Sequence, residues 1–336
     1  MSLRLSVLDL APVGGPVDGA TAVRNTVLFA RLAERLGYDR IWYAEHHGTP
    51  SVASAATEVL IAAAASATTR IRVGAGGVML PNHAPLQVVE RYRTLEALFP
   101  GRIDLGLGRA PGTDPFTSRA LRRLRSLEEV NQLLADLLSF ESGEFPEGHP
   151  HAGVLAVPVD VRLPETWLLG SSLAGAQIAA QLGIAYAFAG HFNLDYAEAA
   201  MRLYRERFQP SEALREPKAM LAVSALCGVD EAHGRRLAMV TGLSFLRMAQ
   251  GQARGRMPTI EEANSYAYGD EERVHVERIL ESHVFGSPAT VKRRIEELAA
   301  RTQADEVMVS SMIAEPEERF ASCERIAAAF GLQGAA

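Results

Sequence analysis

The sequence predicts an α/β protein whose eight parallel strands close into a (β/α)8 TIM barrel, with insertions after strands four and seven. Three observations carry that expectation. Eight short apolar segments recur along the chain, each followed by sequence with helical spacing. The segments are continuously apolar rather than alternating, the pattern of a parallel sheet covered by helices. At 336 residues and 48% apolar composition, the chain accommodates one barrel domain over 1–336.

The elements follow in order. LRLSVLD (3–9) is the first strand, and AVRNTVLFARLAERLG (22–37) is a helix ending on glycine. DRIWY (39–43) is strand two. SVASAATEVLIAAAASAT (51–68) opens on a serine suited to capping and predicts a helix buried along most of its surface. RIRVGAG (70–76) is strand three, APLQVVERYRTLEALFPG (84–101) an amphipathic helix stopped by Pro100 and Gly101, and RIDLGLG (102–108) strand four.

A helical stretch around 117–140 and a Gly- and Pro-rich segment to 165 form the first insertion, in which VLAVPVDV (154–161) reads as a strand or hairpin. The alternation resumes with TWLLG (166–170), a helix to about 183, IAYAFA (184–189), a helix to about 209 and MLAVSALCGV (220–229). A helical region over 231–253 and a polar stretch to about 272 make the second insertion. VKRRIEELAARTQ, DEVMVSS (305–311) and PEERFASCERIAAAFG complete the pattern. An open doubly wound sheet is the alternative, but neither Gly74-Ala75-Gly76-Gly77 nor Gly106-Leu107-Gly108 meets the G-x-G-x-x-G spacing.

A net charge of −6 without a basic cluster argues against nucleic acid as a partner. Cys227 and Cys323 form neither a disulfide framework nor a metal motif. The N-terminus lacks a signal-peptide plan, and no segment has the apolar length of a bilayer span, so a cytoplasmic location away from the membrane is expected.

In a barrel, chemistry gathers where strands end. Glu45-His46-His47 follows strand two. No other strand end offers a matching ligand set, so no metal is expected, and a histidine here suits proton handling or hydrogen bonding. GAGGVMLPNHAP after strand three has small residues, Ala75 and Gly76 among them, that let a flat ligand approach the backbone; a tight turn is the plainer alternative. Asn82 and His83 are secondary polar candidates there.

Arg109 after strand four offers one fixed cation to an anion. Gly170-Ser171-Ser172 opens a helix whose free N–H groups favour phosphate, with serine N-capping as the alternative. Gly190-His191-Phe192 follows strand six and could border a ring system. Ser310-Ser311-Met312 reads as a polar lip.

IWYAEHH, VGAGGVMLPNHAPLQVVERYRTLEALFPGRIDLGLGRAPG, the GSS opening a helix, FGSPATVKRRIEEL and DEVMVSSMI together resemble the bacterial luciferase-like, flavin-dependent monooxygenases. The resemblance spans about 3–331 and is densest over 38–113. It implies FMN at the C-terminal ends of the strands. Reduced FMN, delivered by a separate flavin reductase, would react with O2 to oxidise a small organic substrate. It further implies a homodimer through first-half helices.

By the same resemblance, His46 is the active-site histidine; Glu45, Gly190 and His191 are candidates to bind the cofactor, from their places after strands two and six. Arg109, Gly170, Ser171 and Ser172 lie near its phosphate. Ala75-Gly76 marks the place of a non-proline cis peptide beneath the ring. Gly108 stands where luciferase has a reactive cysteine, and the aromatic pair near strand six is reduced to Phe192, so light emission is not implied. A deazaflavin-dependent oxidoreductase and a flavin-binding protein without turnover are the competing readings.

Overall fold

The computed structural model describes residues 3–121, 126–192, 194–252 and 255–334. Eight parallel strands form the barrel: β1 (Arg4–Asp9), β2 (Arg40–Tyr43), β3 (Arg72–Met79), β4 (Ile103–Gly108), β5 (Glu165–Gly170), β6 (Ala185–Ala189), β7 (Ala219–Cys227) and, after a three-residue strand β8 (Val284–Gly286), β9 (Glu306–Ser310). Neighbours pair in sequence order from β1 to β7, and β9 closes the ring by pairing with both β7 and β1. Strand β8 lies outside the ring, paired with the last residues of β7.

The strands read as uniformly apolar because each face meets a different apolar environment. Ile41, Tyr43, Leu105, Leu107 and Leu168 belong to the core under the helices, while Trp42, Trp167, Leu8, Met220 and Met308 fill the barrel interior. Trp42 and Trp167 meet edge to face at 5.5 Å. Below them, at the N-terminal end, Arg40 donates to Asp104 at 2.8 Å, to Glu306 at 2.8 Å and to Glu165 at 3.2 Å.

Helices follow each barrel strand. Helix α1 (Gly19–Leu36) is capped by Asp18 and ends at Gly37, and α2 (Thr57–Ser66) and α3 (Pro85–Leu98) cover the next strands. After β4 come α4 (Pro115–Ala120) and α5 (Leu127–Ser142); after β5 and β6 come α6 (Leu173–Leu182) and α7 (Ala197–Arg207). Between β7 and β9 run α8 (Glu231–Ala249), α9 (Ile260–Ser265), α10 (Asp270–Glu281), β8 and α11 (Pro288–Thr302), and α12 (Pro316–Phe330) ends the chain. Helices α8 to α10 share an apolar cluster of their own, including Leu237, Leu243, Ala263, Val276 and Leu280.

Three expectations need correction. The helix predicted over 51–68 begins only at Thr57. Residues 51–56 instead line the barrel entrance, where Val52 bridges Pro12, Ala53 N donates to Ala11 O and Ser54 Oγ donates to Ala44 O at 2.6 Å. Those tertiary hydrogen bonds outcompete a helical first turn, and Val59 on α2 is exposed rather than buried. Second, VLAVPVDV forms no ladder: Val154, Leu155, Val157 and Val159 are exposed, and the segment is held through Ala156 O and Pro158 O by the Arg93 guanidinium. Third, Ser310 and Ser311 are buried, with Ser311 Oγ donating to Ala225 O at 2.7 Å, so they form no lip. Parts of the helical stretches predicted over 117–140 and 231–253 lie outside the described residues, at 122–125 and 253.

Candidate active site

Parallel strands in a closed ring deliver all their C-terminal ends to one face, so the segments that follow the strands gather at one mouth. Within it, the side chains fall into three groups.

The first surrounds Glu45, just past β2. Its buried carboxylate accepts from Met79 N at 2.9 Å, Asn82 Nδ2 at 3.1 Å and His47 Nε2 at 2.8 Å, and lies 2.9 Å from His83 Nε2. Burial alone would raise this carboxyl, but hydrogen bonding and charge from His83, with help from Met79 N–H and His47, hold it below the ordinary carboxylate range. Glu45 therefore ties the loops after β2 and β3 together, and its oxygens are committed to protein donors. The neighbouring His46 is held through its backbone, which donates to Ser54 O at 3.0 Å, while its buried ring Nδ1 has no hydrogen-bond partner. Burial lowers its pKa against the opposing pull of Glu45.

The second group is the turn of β3. The non-proline cis peptide joins Gly76 to Gly77, one residue later than expected. The reason is space. Ala75 points its buried methyl into the outer core, whereas a Cβ on Gly76 would lie 2.9 Å from Trp42 and one on Gly77 would lie 2.8 Å from Gly106 O. Only a glycine pair fits this close approach.

The third group joins β4, β5 and β6. Arg109 is half-buried, its Nε has no hydrogen-bond partner, and among the described residues no carboxylate pairs with it. Its guanidinium lies over the first turn of α6: a Cβ on Gly175 would sit 3.3 Å from Arg109 Nη2 and 3.5 Å from the Gly170 Cα. Burial lowers the Arg109 pKa, opposed by the nearby Tyr186 phenol. Tyr186 Oη donates to Ser172 O at 3.3 Å. Ser172 occupies the N-cap position with extended backbone, yet its hydroxyl makes no capping bond, and Ser171 and Ser172 are both exposed. The plain capping alternative is therefore not realised. A cation, two free hydroxyls and an open helix N-terminus converge here, an arrangement suited to a phosphate.

Across the mouth, Gly190 brings the chain beneath Ala222 O, and the His191 ring lies against Phe192, tilted by 51° with centroids 4.3 Å apart. His191 Nδ1 is buried without a partner. Burial and the charges of His46 and His283 pull its pKa down to about 4. His283, which contributes to that shift, comes from the segment after β7. Sequence reading missed His283. Its signal, a histidine closing an amphipathic helix just before the short apolar run VFG, was weak beside the longer strands. Among the described residues, no group of three His, Cys, Asp or Glu side chains is arranged to hold a metal ion.

Comparison with known proteins agrees with this architecture. The family model described as luciferase-like monooxygenase matches residues 3–306. YvbT of Bacillus subtilis is 43% identical over 329 residues, covering 96% of this chain and 95% of its own length. A luciferase-like monooxygenase of Escherichia coli K12 is 38% identical, with 96% of each chain covered. The crystal structure of apo-MsnO8 superposes with a TM-score of 0.89 at 34% identity, covering 99% of this chain and 98% of the other.

Proposed function

The chain belongs to the luciferase-like monooxygenase family, and from that premise we propose that it is a two-component, FMN-dependent enzyme that uses reduced FMN and O2 to oxidise a small organic substrate. The observation that carries the cofactor reading is Arg109, a half-buried cation with no carboxylate partner among the described residues, lying over a helix N-terminus whose serine leaves its cap unmade. Burying an unpaired cation is costly, and a phosphate at α6 would offset that cost.

The residues present fit this cofactor. Arg109, Ser171, Ser172 and the first N–H groups of α6, with Gly170 leaving room, would hold the phosphate; Ala75, Gly76 and Gly190 offer side-chain-poor surface to a planar ring. Bound reduced FMN supplies the electrons that activate dioxygen. The protein supplies position, water exclusion and protons. Trp42 and Trp167 seal the barrel beneath the mouth. His46, kept neutral by burial, takes up or returns a proton at Nδ1, and Glu45 holds the loop that carries it. In this reading the reduced cofactor comes from a separate flavin reductase. The exposed apolar side chains Leu28, Val59 and Leu98 on α1 to α3 support a homodimer through that face.

The test is an FMN titration by fluorescence quenching, combined with oxygen uptake in the presence of a general flavin reductase and a panel of candidate substrates. His46→Ala is expected to retain FMN affinity within about threefold while lowering substrate-coupled oxygen consumption by about 10²-fold or more. Equal loss of both would overturn the assigned role, and failure of FMN to bind would overturn the cofactor.

A further inference from the structure

Asp9 ends β1 and turns its side chain toward the helices, yet a continuous run of hydrogen bonds leads from it to His46. Asp9 is 2% exposed, and its partner Arg319 on α12 is 4% exposed. Arg319 Nη1 donates to Asp9 Oδ1 at 3.1 Å and Nη2 to Oδ2 at 3.3 Å, a two-pronged grip, with the guanidinium 4.4 Å over the Phe29 ring of α1. The orientation of the carboxylate is thereby fixed.

The same Oδ1 accepts from Ala11 N at 2.8 Å. Ala11 is fully buried and has φ +49°, a left-handed conformation that residues with a Cβ rarely adopt. Asp9 supplies the bond that holds this turn. The turn aims the chain at the loop after β2: Ala53 N donates to Ala11 O at 2.9 Å, and Val13 N donates to Ser51 O at 2.8 Å. Ser54, the next residue, clasps the stem of His46. Its Oγ donates to Ala44 O at 2.6 Å, and its carbonyl accepts from His46 N at 3.0 Å. Asp9 closes the circuit from the other side, its own carbonyl accepting from Ala44 N at 3.1 Å.

A buried ion pair is a poor source of stability, since apolar residues of the same volume often serve as well. An apolar pair cannot set a carboxylate oxygen at one angle to one N–H. We infer that Asp9, oriented by Arg319, is a positioning residue for His46: it holds Ala11 in its left-handed turn, and through Ala53, Ser54 and Ala44 it fixes where the imidazole enters the mouth. The inference deepens the proposed function and rests on it for its catalytic meaning.

The test compares Asp9→Ala with Asp9→Asn in the full chain. Both leave the Arg319 guanidinium without its counter-charge, so both should lower the unfolding midpoint by a similar amount. Only the asparagine keeps an oxygen for Ala11 N. Native-state amide hydrogen exchange, measured without FMN, is expected to be about tenfold or more faster at His46 and Ala53 in Asp9→Ala than in Asp9→Asn. In the oxygen-uptake assay with reduced FMN, kcat is expected to fall about tenfold in Asp9→Ala and to be largely restored in Asp9→Asn, with FMN affinity within about threefold of native in both. Equal exchange rates in the two variants, or a kcat that follows the unfolding midpoint instead of the Ala11 acceptor, would overturn the inference. Should neither variant fold, Ser54→Ala breaks the same circuit at the Ala44 carbonyl; unchanged His46 exchange and unchanged kcat there would overturn it equally. The exchange comparison contains no cofactor, so its failure and a failure of FMN to bind are separate results.

Discussion

At the N-terminal end of the barrel, Arg40 donates to Asp104, Glu165 and Glu306, while Arg72 and Trp42 Nε1 also bond Asp104, and Lys218 and Trp167 Nε1 bond Glu165 at 2.8 Å. Ser6 bonds Glu306, and Arg4 reaches that carboxylate at 3.6 Å. At the C-terminal end, among the described residues, no carboxylate pairs with Arg109, and His46 and His191 each bury a ring nitrogen without a hydrogen-bond partner. The first end ties its charges into one ion-pair network, whereas the second satisfies Glu45 but leaves Arg109 and two histidine nitrogens unmatched among the described residues. The difference separates architecture from function more sharply than residue type does, since arginine serves both.

The largest expected effect breaks this comparison from both sides. Arg40→Met strands two buried carboxylates, Asp104 and Glu306, and takes a partner from the half-buried Glu165, and removing one partner of such a network costs about 3–5 kcal/mol. The expected result is a large fall in the guanidinium unfolding midpoint, or no folded protein. Arg109→Met removes a cation that no carboxylate among the described residues pairs with, so the unfolding midpoint without FMN should hold or rise. FMN affinity, by contrast, should fall about ten- to hundredfold, the loss of about 1.5–3 kcal/mol of charge-assisted bonding. Equal destabilisation by the two substitutions would erase the distinction.

The same contrast explains how much was legible in the sequence. All eight barrel strands were visible because each is apolar on both faces and bounded by turn residues, a local property. Helix α2 begins six residues later than its composition predicts because Ser51 to Ala56 have helical composition but spend their hydrogen bonds on residues outside the helix, Ala11 and Ala44. VLAVPVDV has strand composition but no neighbouring strand, only the Arg93 guanidinium. At the mouth, residues after long strands could be found by position. His283 could not, since its place depends on β8, which is too short to stand out, and the Glu45 hub with His47 and His83 depends on loops meeting in space.

A smaller effect sharpens the comparison by pH. The Glu165 carboxyl is pushed down to about 2, burial being outweighed by Arg40 and Lys218. A depressed carboxyl contributes stability that is present above its unfolded pKa near 4.5 and lost as pH falls toward about 2. His191, lowered from 6.5 to about 4, also stabilises the fold above its unfolded pKa, and that contribution is lost as pH falls from 6.5 toward 4. The two ends of the barrel therefore weaken in successive windows on acidification, mouth first. Urea midpoints measured against pH should show a decline between 6.5 and 4 that is reduced in His191→Gln, where His46 and His283 remain, and a further decline below 4.5 that persists in that variant. A single decline below 4.5 in the native protein would place no titration at the mouth.

The smallest effect separates two serines at equivalent places. Ser287 caps α11, its hydroxyl accepting from Thr290 N at 3.3 Å and donating to Glu231 at 2.5 Å. Ser172 stands at the N-cap of α6 and makes no such bond. Ser287→Ala should therefore cost about 1 kcal/mol, the ordinary worth of a lost cap, with FMN affinity unchanged. Ser172→Ala should cost little stability, because the native helix already goes without that bond, yet weaken FMN a few-fold by removing one phosphate donor. The pair exchanges stability for affinity at the same helix position, and calorimetry alongside FMN titration reads both. If Ser172→Ala lost a full cap's worth of stability with FMN binding intact, its hydroxyl would be architecture, and the phosphate reading of the α6 terminus would rest on Arg109 and the backbone alone.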